Sequence, residues 1–105
     1  MNTGQQDVSP SLTATGTTQA TALLVFNGIA YVGTVAAGTG VVLFPGNPGT
    51  SQRVYNAGAN ALKIYPTSGA QINGLGTNNP MTLATNTLCE FYNLTATQTV
   101  GNLSA

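Results

Sequence analysis

The chain has 105 residues, of which 42% are hydrophobic and 4% are charged, and its formal net charge at pH 7 is zero. This length suits one domain with a modest core, whereas ordinary domains carry about 25% charged residues. The chain has only two basic residues, one Arg and one Lys, so it cannot form the basic face that nucleic-acid binding requires. We therefore expect no nucleic-acid partner.

Residues 1–20, MNTGQQDVSPSLTATGTTQA, hold too little apolar material to form an element of their own. They predict an extended N-terminal arm, or a disordered terminus, ahead of a single β domain over residues 21–105. The Thr- and Gly-rich segment TATGTT can lie along the surface of another protein by backbone pairing.

Residues 21–44, TALLVFNGIAYVGTVAAGTGVVLF, carry no charge and are long enough for a membrane helix of roughly 20 residues. Four glycines and many Val, Ile and Thr residues disfavour a helix, and basic flanks are missing. The runs LLVF and IAYV, joined by Asn27-Gly28, instead predict a tight β-hairpin, with a third strand at residues 41–44. We therefore expect strands and no membrane span.

The runs SQRVYNA and NALKIYP flank Gly58-Ala59 and predict a second antiparallel hairpin. In NALKIYP the apolar residues alternate with Lys63 and Tyr65, the pattern of a strand with one buried face. Lys63 then points to solvent or to a partner. Since like charges directly opposite one another are unfavourable, we expect Lys63 to be offset from Arg53 or to lie on a different face.

Residues 68–80, SGAQINGLGTNNP, are rich in turn formers and predict a crossover between two sheets that is anchored by Ile72. The last predicted strands are MTLA and TLCEFYNL, and in the second of these Cys89 and Phe91 face inward while Glu90 faces outward. The tail TATQTVGNLSA is rich in Thr, like the N terminus, and is expected to reach out from the domain.

About seven or eight short strands, with turn signals every 8 to 12 residues and no helical periodicity, predict an all-β fold. The expected architecture is a small antiparallel sandwich or jelly-roll-like barrel with an extended N-terminal arm. A surface so poor in charge suits close packing between subunits. Leu88 and Leu94 point away from the predicted core, which indicates that the last strand is covered on both sides, by the arm or by a subunit.

Catalytic chemistry has few candidates in this sequence. His is absent, Asp7 and Glu90 are the carboxylates, and Cys89 is the single thiol. General acid–base catalysis, a Ser–His–Asp arrangement and a zinc site each need more such groups than one chain supplies. We expect no enzyme activity, cofactor or metal, and we interpret Cys89 as a small buried apolar residue.

Three segments resemble a module known from tailed bacteriophages: SLTATGTTQATA, TVAAGTGVVL and VYNAGANALKIYPTSGAQINGLG. The module recurs in small virion proteins, the capsid decoration (cement) and head-fibre-type β proteins, and its most specific part is NAGANALKIYP followed by INGLG. The resemblance implies a non-enzymatic homotrimer, made in the bacterial host cytoplasm. It further implies a place on the capsid surface of the virion, where the protein reinforces contacts between subunits of the major capsid protein.

Two functions remain open. The first is a decoration protein whose arm contacts the capsid, through the candidate residues Gln5, Gln6, Asp7, Leu12, Thr15 and Thr17. The alternative is a head or tail fibre module that binds host-surface glycans through loops such as residues 71–79. We prefer the first because the chain has no Trp and all four Tyr residues fall in predicted strands. Deletion of residues 1–18 is expected to leave a folded domain that no longer binds capsids.

Overall fold

A computed structural model describes residues 11–25, 29–44, 49–95 and 97–103 of the chain. Within these ranges the chain forms ten β-strands and no helix. The strands are β1 (Leu12–Thr13), β2 (Leu23–Val25), β3 (Ile29–Thr34), β4 (Gly40–Leu43), β5 (Ser51–Asn56), β6 (Leu62–Tyr65), β7 (Gln71–Ile72), β8 (Met81–Leu83), β9 (Thr87–Asn93) and β10 (Gln98–Leu103).

The strands form two sheets, and successive strands from β1 to β9 alternate between them. Sheet A has the order β1-β3-β5-β9-β10-β7, and sheet B has the order β2-β4-β6-β8. The pairs β1–β3 and β3–β5 in sheet A, and β2–β4 and β4–β6 in sheet B, are all parallel. The first six strands therefore make a three-turn coil, in which each turn places one strand in each sheet.

The all-β prediction is confirmed, but the antiparallel sandwich or jelly-roll-like barrel is wrong. LLVF and IAYV do not pair, since β2 lies in sheet B and β3 in sheet A, and the Asn27-Gly28 turn lies outside the described residues. The second predicted hairpin is wrong for the same reason, because β5 and β6 belong to different sheets. Period-two alternation shows which side chains a strand buries, but not which strand it pairs with.

Both sheets contribute their inner faces to one core. Sheet A contributes residues such as Val32, Val54 and Phe91, and sheet B contributes residues such as Leu62 and Leu83, each at most 1% exposed. Phe91 and Cys89 point inward from β9 while Glu90 is part-exposed, as the sequence predicts. Burial of these side chains is the main favourable contribution to folding.

The chain turns from one sheet towards the other after β3, after β5 and after β8, and these three corners lie against one another along one side of the coil. We call them the corner stack (residues 35, 56–60 and 83–86). The buried Asn56 side chain spans it: its Nδ2 donates to the carbonyl oxygens of Asn60 (2.9 Å) and Leu83 (3.0 Å), and its Oδ1 accepts from the Gly58 amide (2.9 Å). The Asn60 amide group donates to the Val35 carbonyl at 2.8 Å. One side chain thus holds a corner of sheet A against a strand end of sheet B.

Gly58 is required by this close stacking. A Cβ atom at position 58 would lie 2.6 Å from Cγ2 of Val35, well inside van der Waals contact. The Thr85 hydroxyl also donates to the Gly58 carbonyl from the third corner. The corners are therefore too close for any larger residue to be accommodated without a shift.

Residues 11–20 of the predicted arm are bonded to the domain. Leu12–Thr13 pairs in parallel with β3, and Ala14 is buried in the core at 4% exposure. The chain then crosses to sheet B, where Thr15 bridges Gly40 and the Thr17 carbonyl accepts from the Tyr65 hydroxyl at 3.0 Å. Deletion of residues 1–18 would remove these contacts, so a truncation that tests the arm has to stop before β1.

The C-terminal part of the chain ends the coil with three antiparallel pairs and one parallel pair, which joins β10 to β7. The β8 strand pairs with β6, while β9 lies between β5 and β10 and is antiparallel to both. Residues 68–80, predicted to cross from one sheet to the other, instead leave sheet B after β6, form β7 at the edge of sheet A and return to sheet B at β8, with Ile72 fully buried. The expectation that the tail reaches out is wrong for Gln98–Leu103, which forms β10.

Residues 21–25 and 29–44, from the apolar stretch considered above, contain β2, β3 and β4. In the described part of the chain no helix has the length and apolar character needed to cross a membrane. The strand interpretation of this stretch is confirmed.

Replacing Asn56 by Ala tests the corner stack. The change removes three hydrogen bonds and leaves buried backbone groups without partners, so we expect a loss of about 3 kcal/mol in the free energy of unfolding. Denaturant unfolding followed by circular dichroism measures this loss. The control Asn102→Ala, at an exposed position of β10, should change the stability by less than about 0.5 kcal/mol. Equal effects of the two substitutions would contradict the role given to Asn56.

Candidate interaction face

The outward side of sheet A is the strongest candidate for a functional surface. Along β3, β5 and β9, buried side chains alternate with side chains that are half-buried or exposed. The outward members of these strands and of β10 lie on one face because adjacent strands are paired in register. We call this surface the tyrosine face, defined by Ile29, Tyr31, Ser51, Arg53, Tyr55, Leu88, Glu90, Tyr92, Val100 and Asn102.

The strand register arranges the tyrosine face in three rows. The first row is Ser51, Tyr92 and Val100; the second is Ile29, Arg53, Glu90 and Asn102; the third is Tyr31, Tyr55 and Leu88. Adjacent strands are about 4.8 Å apart and outward residues of one strand about 7 Å apart, so the backbone positions of the rows span roughly 14 Å by 14 Å.

Large apolar groups are exposed on this face. Tyr31 and Tyr92 are each 40% exposed and Val100 is 38% exposed. The rings of Tyr31 and Tyr55 stack, with centroids 5.8 Å apart and planes inclined by 20°. Stacking restricts the orientation of the two rings, because offset aromatic pairs have a preferred geometry, and we call the pair the aromatic platform.

An ion pair occupies the centre of the face. Glu90 Oε2 lies 2.7 Å from Arg53 Nε and 2.6 Å from Nη2, and it also accepts from the Tyr92 hydroxyl at 3.2 Å. The two charged side chains are 30% and 27% exposed. All three contacts use one carboxylate oxygen, which leaves Glu90 Oε1 without a hydrogen bond to the described residues.

The sequence correctly placed all four tyrosines in strands, but it did not show that three of them share a face. The signal lies in the alternation: Tyr31, Tyr55 and Tyr92 each sit one residue from a buried neighbour, so each points outward. The fourth, Tyr65, also points outward, from sheet B. It is only 5% exposed, because the segment around Thr17 lies over it.

The candidate arm residues fall in two groups. Gln5, Gln6 and Asp7 lie outside the described residues. Leu12, Thr15 and Thr17 belong to the domain and not to the tyrosine face. Leu12 packs against the core, Thr15 donates its hydroxyl to the Thr21 carbonyl at 3.1 Å, and Thr17 contacts Tyr65.

The loop at residues 71–79, considered for glycan binding, is held by its own hydrogen bonds. Asn73 and Asn78 have positive φ angles of 52° and 65°. The side chain of Asn73 exchanges two hydrogen bonds with the Gly101 backbone, and Asn78 Oδ1 accepts from the Gly69 amide and from Gln19. These amides therefore stabilise the loop itself.

Cys89 is fully buried among core side chains. Burial raises the pKa of its thiol from 9.0 to about 11. No group of three or more His, Cys, Asp or Glu side chains that could hold a metal occurs within the described ranges. The structure therefore places Cys89 in the core, where the sequence interpretation put it.

Comparison with protein-family models, curated proteins and solved structures finds no match to this chain.

Cys89 should react slowly with alkylating reagents in the native protein. A shift from 9.0 to about 11 lowers the thiolate fraction roughly 100-fold at mildly alkaline pH, and burial adds a steric barrier. Mass spectrometry of iodoacetamide adducts, with and without denaturant, measures the difference. Equal rates in the two conditions would show that the thiol is accessible in the folded state.

Proposed function

We propose that the protein is a non-enzymatic structural component of a tailed-phage virion, a decoration or cement protein on the outer surface of the capsid. In this role it reinforces contacts between subunits of the major capsid protein. We place the protein in a phage virion because residues 11–92 resemble phage virion modules.

The observation that carries the proposal is the tyrosine face. Tyr92 and Val100 are exposed side by side at one end of the face, and Tyr31 is exposed at the other end. Exposed large apolar side chains on one face are typical of a protein interface. Tyr is enriched at interfaces, and their centres are depleted in charge. A chain with 4% charged residues fits a protein whose surface is largely covered in an assembly.

The second part of the proposal concerns residues 1–10, which include Gln5, Gln6 and Asp7. Because residues 11–20 are bonded to the domain, the arm proposed to contact the capsid reduces to this segment. Many copies that each make small contacts would bind a capsid lattice by avidity, without a single strong site.

Deletion of residues 1–10 tests the arm. The variant keeps β1 and Ala14, so it should fold with an unchanged circular dichroism spectrum, but it should bind undecorated phage heads at least about 10-fold more weakly than the full chain. Bound copies per head and the heat stability of the heads are the measurements.

Three outcomes of this experiment distinguish the cement function from the capsid-binding role of the arm. Saturation of the full chain at a copy number set by the lattice, with heads that withstand more heat, supports a cement function. Equal binding by the truncated chain contradicts the arm. Failure of the full chain to bind heads contradicts the cement function.

A fibre module that binds host glycans is the second candidate, and one observation favours it. The stacked rings of Tyr31 and Tyr55 form an aromatic platform on the outward side of sheet A, where Tyr31 is 40% exposed. Sugar rings bind such platforms through their apolar C–H faces, and the polar side chains of the neighbouring row, Arg53 and Glu90, can orient the hydroxyls.

Tyr31→Ala tests the glycan alternative. If a host glycan binds the platform, loss of the ring should weaken binding on a glycan array by about 5-fold or more. The control Leu24→Ala removes another side chain that is 40% exposed, but from sheet B, and should leave glycan binding unchanged. Absence of glycan binding by the unaltered protein would eliminate this candidate.

A further inference from the structure

We propose that the dipeptide Asn73-Gly74 is a site of spontaneous covalent modification, at which deamidation of Asn73 is controlled by two hydrogen bonds to the backbone of Gly101. We call these two bonds the Asn73 clasp. The inference goes beyond the proposed function, because it concerns a chemical change of the chain itself. It needs no capsid or glycan and can be tested on the purified protein.

The reacting atoms are accessible in the folded chain. An Asn that precedes Gly is prone to deamidation, because glycine has no side chain to hinder its own amide nitrogen. Asn73 and Gly74 are both exposed, and a Cβ atom at position 74 would meet no heavy atom of the described residues within 4 Å. Their φ angles are 52° and 74°, and the Leu75 amide donates to the Ile72 carbonyl at 2.9 Å, as in a type I′ turn. Water and base can therefore reach this turn.

The Asn73 clasp continues the edge of sheet A where β7 ends. Within the described residues β7 pairs with Gln98 and Thr99, whereas β10 runs on to Leu103. Beyond β7 the Asn73 side chain takes the place of a strand: Nδ2 donates to the Gly101 carbonyl at 3.2 Å, and Oδ1 accepts from the Gly101 amide at 2.9 Å. Both backbone groups of Gly101 thus point away from β9, as those of alternate residues in an edge strand do.

The reaction consumes water and releases ammonia. The deprotonated amide nitrogen of Gly74 attacks Cγ of Asn73, so that an N–Cγ bond forms and the Cγ–Nδ2 bond breaks. Nδ2 takes up a proton and leaves as ammonia. Water then opens the five-membered imide at one of its two carbonyl carbons, which gives Asp or isoaspartate at position 73. No oxidant or reductant takes part.

The clasp holds Asn73 out of the reactive geometry. Its carboxamide is bonded to Gly101 of the neighbouring strand, and ring closure requires Cγ to leave this position and meet the Gly74 nitrogen. Both hydrogen bonds break in that movement. Two bonds of ordinary net strength lower the population of the open form by about 30-fold, so the clasp slows the reaction without abolishing it.

Deamidation would change both the edge of the sheet and the charge of the chain. In either product an oxygen replaces Nδ2, so the Gly101 carbonyl loses its donor. In isoaspartate the free carboxylate is also attached directly to Cα, one carbon closer to the backbone. The product carries an extra negative charge on a chain whose formal net charge is zero. The modification therefore weakens the closed edge at Gly101 and is detectable by charge as well as by mass.

Peptide mapping by mass spectrometry tests the proposal. The purified protein is kept at mildly alkaline pH, in buffer and in denaturant, and Asp and isoaspartate at position 73 are quantified over time. We expect Asn73 to react in the folded protein at least about 10-fold more slowly than in the denatured protein. Asn27-Gly28, the same dipeptide in the same sample, is the reference in denaturant, where both sites should react at equal rates.

Two variants separate opening of the clasp from unfolding of the domain. Gly101→Pro removes the amide that donates to Asn73 Oδ1. Because this amide points away from β9, the pairing of β9 with β10 remains, and deamidation of the folded protein should become at least about 5-fold faster. The matched control Asn56→Ala weakens the corner stack and leaves the clasp intact, so it should not change the rate.

A shortened chain replaces Gly101→Pro if that variant does not fold. A Cβ atom at position 101 would lie 3.1 Å from Cys89 Sγ, which is a close contact. A chain that ends at Val100 lacks both bonds of the clasp and should also deamidate faster at Asn73 than the full chain does.

Three results would overturn the proposal. Equal rates in the folded and the denatured protein would show that the clasp does not protect Asn73. A rate that rises in Asn56→Ala but not in the clasp variants would show that the reaction follows unfolding of the whole domain. Absence of product at position 73 in every folded variant would show that this turn is not a modification site.

Discussion

The corner stack is the constraint on which the rest of the structure depends. Successive strands from β1 to β9 lie in different sheets. Each turn of the coil must therefore cross between the sheets at a fixed position along the coil axis, which we call its height. Asn56 sets that height by bonding to its own corner and to the end of β8, and Asn60 extends the contact to Val35. Without such bonds, parallel strands of two to six residues could slip past one another.

The register that the corners impose determines both sides of sheet A. On the inner side it brings Val32, Val54 and Phe91 into the common core. On the outer side it aligns Tyr31 with Tyr55, and Arg53 with Glu90, on neighbouring strands. A shift of one residue in β5 would bury Arg53 and break both contacts. The tyrosine face is thus rigid because its positions are fixed by the packing behind it.

The sequence predicts well which residues form strands and which of their side chains are buried. It predicts poorly how the strands pair. Alternation identified the inward side chains Cys89 and Phe91, because burial on one side of a strand leaves a period of two. It could not identify partners, since the parallel pair β3–β5 and the antiparallel pair β5–β9 need the same alternation. The Asn-Gly signal favoured a hairpin between β2 and β3, and the two-sheet coil overrides that local preference. The tyrosine face was missed because it depends on this pairing.

The outer surfaces of the two sheets differ in how far their tyrosines are covered. Tyr65 on sheet B and Tyr31 on sheet A occupy equivalent outward positions, yet they are 5% and 40% exposed. The difference arises because the segment after β1 crosses to sheet B and receives the Tyr65 hydroxyl on its Thr17 carbonyl. The segment after β1 thus covers the outward tyrosine of sheet B, whereas Tyr31, Tyr92 and Val100 on sheet A are each about 40% exposed.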